Sequence, residues 1–226
     1  MNKPRRTFIK QSALTATALS ISPGAVFSRN SNGGADHVIS HLTALNDDKI
    51  EKLLSSQLDK PGDRWDGGVK NEYEIPNAHS TNGFLMVLGA SYASPVSRYY
   101  LSESLEKPMD RAIRCLLNVQ YSDGTIYLHT TNFHSTPDTA FIVNYLSPVY
   151  VILKRLERPR LESLLQKMSM FFHNTGKCLL VGGIHTPNHR WVVCSALARL
   201  NAFFPSQKYI DRMDEWLGEG IDMDPD

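Results

Sequence analysis

Three times along this chain a glycine-marked polar loop carrying histidine runs directly into an apolar stretch. That recurrence restricts the fold more than any other feature. Gly67-Gly68 precedes Ile75-Pro76-Asn77-Ala78-His79-Ser80-Thr81-Asn82 and the apolar run Phe84 to Leu88. Gly124 precedes Phe133-His134-Ser135-Thr136-Pro137-Asp138 and the run Phe141 to Leu146, and Gly182-Gly183 precedes His185-Thr186-Pro187-Asn188-His189 and the run Trp191 to Leu197. The glycine marks at 68, 124 and 183 stand 56 and 59 residues apart, room for one helical hairpin with its loops. Similarity at such a period is the signature of stacked helix pairs that bury a continuous core between neighbours.

The residues between the marks have helical periodicity of two kinds. Leu161, Leu164, Leu165, Met168, Phe171 and Phe172 form one apolar stripe, with Glu162, Gln166 and Lys167 outside it, which predicts a helix covering the core from outside. Trp191 to Phe204 is apolar almost all round and predicts a helix buried on most sides. Thr136-Pro137 and Thr186-Pro187 each set a capping hydroxyl before a proline at the first helical position, a helix-start signal. Asp138 and Asn188 follow in the first turn, and Asn82 is expected in a comparable place. Inner helices running in one direction would gather their N-terminal loops at one mouth. Tyr127 and His129 alternate in a strand-like way after Gly124 and predict a small hairpin beside that mouth.

The first 28 residues read as an export signal. Lys3-Pro4-Arg5-Arg6-Thr7-Phe8-Ile9-Lys10 is a charged segment with adjacent arginines, followed by the weakly apolar Ser12 to Ile21 and the break Pro23-Gly24. It resembles bacterial twin-arginine signals, which implies the twin-arginine export machinery as a partner and a periplasmic or secreted destination. The apolar run falls well short of the roughly 20 residues that span a bilayer, so no stable membrane anchor is expected. Residues 29–45, rich in Ser, Asn, Gly and Ala near their start, are expected as a linker, and 46–226 as the working domain.

Without Lys3, Arg5, Arg6 and Lys10 the balance is 20 basic against 23 acidic residues, which gives no electrostatic case for nucleic acid. Lys154, Arg155, Arg158 and Arg160 read as a solvated turn around Pro159. Cys115, Cys178 and Cys194 are widely spaced, lack a CxxC pattern, and are expected as buried thiols. Asp222-Met223-Asp224-Pro225-Asp226 lacks the spacing and the closing Glu of an EF-hand, so no metal is assigned, and nothing in the motifs demands a cofactor.

Asn188-His189-Arg190-Trp191 is the densest polar group and stands at a helix N-terminus, where backbone N–H groups and the helix dipole favour an anion. Asn188 is expected to bind and polarise a carboxylate while His189 takes a proton or helps hold the anion; helix capping is the plainer role for the same residues. His134 is a further catalytic candidate and His79 a binding candidate at the same mouth. Asp138 suits an acid or sugar-binding role, or only the first-turn position it occupies. Asp66 and Trp65, in Asp63-Arg64-Trp65-Asp66-Gly67-Gly68, combine an aromatic platform with hydrogen-bonding groups, and Tyr127 adds a second aromatic; both rings could equally pack the loops.

Asn188, His189 and the following Trp191 resemble the site of helical-toroid polysaccharide lyases, the heparinase II/III-like and related alginate lyase families. The resemblance implies an all-α fold of repeated helical hairpins forming part of an (α/α) toroid, with short β-hairpin loops at one mouth. It also implies β-elimination on an acidic, uronic-acid-containing polysaccharide or oligosaccharide, with Arg190 and Trp191 at the substrate. As architecture it covers residues 46 to 217; as motif, only these few residues. Three hairpins make an arc, so the chain is expected to be the N-terminal part of a longer enzyme. A glycoside hydrolase using Asp66 and Asp138, and a non-catalytic glycan-binding protein, are the alternatives.

Overall fold

The computed structural model describes residues 33–128, 132–183 and 186–218, and the side chains within them from residue 36 onward except those of Leu128 and Asn132. The chain divides into two units, residues 1–38 and 39–226, of which the second holds the core described below. The expected export signal, His129, His185 and the terminal acidic run lie outside the described residues.

The described chain is mostly helical: α1 Gly33–Asp47, α2 Ile50–Ser56, α3 Ala78–Ala93, α4 Glu103–Val119, α5 Thr136–Arg155, α6 Glu162–Val181, α7 Pro187–Phe203 and α8 Gln207–Gly218. Two short antiparallel hairpins interrupt it. β1 Val69–Lys70 pairs with β2 Pro76–Asn77, and β3 Ile126–Leu128 pairs with β4 Asn132–Ser135. The second hairpin contains Tyr127 where strand alternation predicted it; the first has no comparable sequence signal. Residues expected as linker are helical from Gly33 onward, with Asp36 in the favoured first turn of α1.

α5 packs between α3 and α7, while α4 lies against α3, α6 against α5 and α8 against α7; α4 and α6 also touch. The stripe on α6 is buried as its periodicity requires, with Leu161, Leu164, Met168, Phe171 and Phe172 in the core and Glu162 and Gln166 exposed. Phe171 and Phe172 are fully buried, and each such side chain stabilises the fold by about 1.5–3 kcal/mol relative to exposure. α7 differs from expectation. Val193, Cys194, Ala196, Leu197 and Leu200 are buried, but Trp191 is 54% exposed and Ala198 is exposed, because α5, α6 and α8 cover only part of its circumference.

Each hairpin is locked to the helix that follows it by the same device. Thr81 Oγ1 donates to Asn77 O (2.8 Å) and accepts from Val69 N (3.0 Å). Thr139 Oγ1 donates to Ser135 O (2.7 Å) and accepts from Ile126 N (3.0 Å). A glutamine closes each loop below: Gln57 Nε2 donates to Gly67 O and Pro108 O, and Gln120 Nε2 donates to Gly124 O and Phe171 O. Gly67 and Gly124 both have positive φ, 82° and 91°, and both lie against the backbone of the next outer helix, at Arg111 and Asn174, where a side chain would collide.

The basic turn is as expected: α5 ends at Arg155, Pro159–Leu161 forms a 3₁₀ turn, and Arg160 pairs with Glu103. All three cysteines are free and buried, and burial pushes the Cys115 and Cys178 thiols up to about 12 and that of Cys194 to about 11.

Candidate functional site at the helix N-termini

The first turns of α3, α5 and α7 hold the polar residues, and local capping sets each of them. Asn77 Oδ1 caps α3 by accepting from His79 N and Ser80 N (2.9 and 3.1 Å). On α5 the cap is Ser135, one residue before the expected Thr136, and its Oγ accepts from Asp138 N at 3.2 Å. Thr136 is therefore the first helical residue, with Pro137 still early enough to lose no helical hydrogen bond. α7 begins as expected, with Thr186 at the cap and Pro187 first, but Thr186 makes no capping bond; its hydroxyl donates instead to Asn188 Oδ1 at 2.5 Å. Asn82 does not hold the place expected for it, since Asn77 rather than a later residue starts the helix. It is buried, and its Oδ1 has no hydrogen-bond partner among the described residues.

These turns meet. His79 Nε2 lies 3.3 Å from Asp138 Oδ1, both side chains about one-third exposed. The hydrogen bond from His79 holds the Asp138 carboxyl below its ordinary range; partial burial opposes this, while Ser135 and the charges of His79 and His189 reinforce it. His189 thus lies within electrostatic reach of the His79–Asp138 pair. Its Nδ1 is buried without a hydrogen-bond partner among the described residues. Asn188 is exposed, and Arg190 is half-buried. Its field acts on the Cys194 thiol, one helical turn further along α7. Trp191 is exposed on the same helix.

His134 belongs to a neighbouring cluster on the β3–β4 hairpin. Its Nδ1 lies 2.8 Å from Asp123 Oδ2 and 3.0 Å from Thr125 Oγ1, and its ring stacks on Tyr121 with centroids 4.0 Å apart. Burial acts to raise the Asp123 carboxyl, but bonds from the Thr125 hydroxyl and amide and from His134 together bring it below its ordinary range. Asp123, Thr125 and Tyr121 carried no signal in the sequence beyond their neighbourhood to Gly124. An aspartate just before a turn glycine reads as turn chemistry.

The aromatic and acidic residues ahead of Gly68 serve the fold first. Trp65, expected as a sugar platform, is only 6% exposed and meets Tyr127 edge-on at 6.4 Å. Tyr127 is half-buried, with Arg64 4.8 Å from its ring centre and Phe133 beside it at 5.5 Å. Phe133, 58% exposed, is the ring in this group that faces solvent. Asp66 accepts from Lys60 N (2.9 Å) and Arg111 Nη2 (2.8 Å), and these contacts in that order hold its carboxyl low. A carboxylate so committed is a fixed anchor for the loop.

Among the described residues no group of three or more His, Cys, Asp or Glu side chains could hold a metal ion, and no helix is long and apolar enough to cross a membrane. No protein-family model matches the chain, and neither any curated protein nor any solved structure does.

Proposed function

We propose that this chain is an exported lyase-like protein that acts on uronic-acid-containing polysaccharide by β-elimination, and that its hairpins form part of an (α/α) toroid. The observation that carries the reading is the 3.3 Å contact of His79 with Asp138 across the first turns of two helices, with the charge of His189, on a third, acting on the same carboxyl and the exposed Asn188 next to it in the chain. The paired threonine, glutamine and glycine devices of the two hairpins support a repeated unit. The arginine pair Arg5-Arg6 supports twin-arginine export to the periplasm or beyond, where such a polymer is met.

In this reading the Asn188 amide and the N-terminus of α7 bind the uronate carboxylate and stabilise the negative charge that builds on it as C5 loses its proton. His189 accepts that proton. The electron pair of the C5–H bond becomes the C4–C5 double bond, the C4–O4 bond breaks, and O4 leaves with a proton from water or a tyrosyl hydroxyl. His79, held by Asp138, stands at the same mouth, and Trp191, Arg190 and Phe133 line the approach of the chain. No cofactor is invoked. The commitment of Asp66 to Lys60 and Arg111 weighs against a hydrolase with Asp66 and Asp138 as its carboxylate pair.

Incubation with alginate, glucuronan and glycosaminoglycans, followed by ultraviolet absorbance of the unsaturated uronate, tests the proposal. Asn188→Ala and His189→Ala should each reduce the elimination rate about 100-fold or more. Reducing-sugar release without that absorbance would replace the lyase with a hydrolase, and binding without product would leave a glycan-binding protein.

A further inference from the structure

On the flank of α3 away from α5 lies an open groove of about 980 Å³, at the upper end of the range that holds small ligands. Leu53, Leu58, Val69, Phe84 and Val87 give it an apolar floor, and its charged lining contains Lys49, Lys52, Lys60 and Lys70 against Asp48, Asp59 and Glu74. Asp48 and Glu74 each have a cation of their own, while Asp59 shares Arg111 with Asp66. Asp48 pairs with Arg98 at 3.0 Å, Asp59 with Arg111 at 2.8 Å, and Glu74 with Lys70 at 2.9 Å. Lys49, Lys52 and Lys60 are exposed and have no ion pair among the described residues. Three unpaired lysines against one acid of the lining, Asp59, that shares its cation leave a local positive excess on a chain whose formal charge is only +1.

The hydroxyl chemistry narrows the ligand. Ser55 Oγ donates to Lys52 O (2.8 Å) and Ser56 Oγ to Leu53 O (2.7 Å), so both protons point into the helix and the oxygens are left as acceptors toward the groove. A ligand for this lining needs anionic groups for the lysines, hydroxyl donors for the serines and C–H faces for the apolar floor. Acidic sugars carry all three. Nucleic acid would want aromatic stacking surfaces, and Phe84, the aromatic in the lining, is 1% exposed.

We propose that this groove binds a segment of an anionic oligosaccharide, as an extended subsite that ends near the helix N-termini. Ser80 lines the groove while His79, the residue before it, faces Asp138, so the first turn of α3 stands between the two. The assignment of the ligand as an acidic polysaccharide rests on the proposed function; the groove's ability to bind it does not require elimination.

Equilibrium binding of a fluorescently labelled alginate oligosaccharide to the full chain tests the subsite. The wild type should bind, with affinity falling as salt rises. The combined Lys49→Gln, Lys52→Gln and Lys60→Gln variant should lose about 3- to 100-fold, at about 1.5- to 5-fold per lysine. Ser55→Ala with Ser56→Ala should lose roughly threefold or more without changing the salt dependence. The lysines are exposed, and circular dichroism of the variants checks that the fold is kept. Unchanged affinity in the lysine variant overturns the subsite, as does equal binding of a neutral cello-oligosaccharide or of polyglutamate. Lysine-dependent binding by a protein that eliminates nothing upholds the subsite and removes the lyase reading instead.

Discussion

His79 and Asp138 sit in the first turns of two helices 59 residues apart in the chain, and their side chains meet at 3.3 Å. The contact joins two loops that are similar in sequence, so chemistry that looks like two copies of one motif becomes one paired site. The Asp138 carboxyl is held low chiefly by its bond from His79. A carboxyl depressed on folding contributes stability above its unfolded value, and that contribution is lost as pH falls through the folded value. Acid denaturation followed by circular dichroism should therefore show wild type losing more stability than Asp138→Asn below the ordinary carboxylate range. A double-mutant cycle with His79→Gln at neutral pH should give a coupling of about 0.2–1 kcal/mol, since both groups are about one-third exposed and partly screened.

Asp47, at the end of α1, is the carboxylate on which the packing of this region depends most. It is 3% exposed and accepts from Ser91 Oγ, Ser97 Oγ and Arg98 N at 2.5, 2.7 and 2.9 Å. Burial alone would raise its carboxyl, but the two serines and Arg98 together bring it below the usual value. Asp47→Ala leaves those donors without their acceptor and should cost about 1–3 kcal/mol in denaturant unfolding. A loss under about 0.5 kcal/mol would show that water replaces the carboxylate freely.

Gly124 has φ of 91° and lies against Asn174 O, so Gly124→Ala adds a strained backbone and a collision with main chain. The left-handed conformation costs about 1–2 kcal/mol and the overpacking about 1–3 kcal/mol. Thermal unfolding of Gly124→Ala should show a correspondingly large fall in Tm, whereas Gly183→Ala, with open space around it, should change little.

The buried cysteines predict their own silence. With their thiols pushed up to about 12, 12 and 11, native protein at pH 8 should resist alkylation, and denatured protein should take up label at all three. Fast labelling of one site in the native state would mean that its helix opens locally, and mass spectrometry identifies which.

The sequence by itself determined the helical class, the apolar stripe of α6 and the starts of α5 and α7 to within one residue, whereas most of the segment expected as a linker is the helix α1. The α6 stripe, the Pro187 start, the hairpin at Tyr127 and the buried thiols depend on periodicity and on residues a few positions apart, which a linear reading holds together. It was off by one residue at α5, because Ser135 and Thr136 are both able to cap and only the hairpin bond from Thr139 Oγ1 to Ser135 O selects between them. The exposed flank of α7 was illegible for a related reason: an apolar helix reads as buried all round unless one knows how many neighbours it has.

Tertiary structure alone decided which side chains meet. His79 finds Asp138, His134 finds Asp123, Trp65 turns inward, and Asp66 is held by Arg111. Each of these depends on the packing of elements distant in the chain, where no local propensity acts. The polar residue types are written in the loops, but the contact of His79 with Asp138 arises only when α3 and α5 lie side by side.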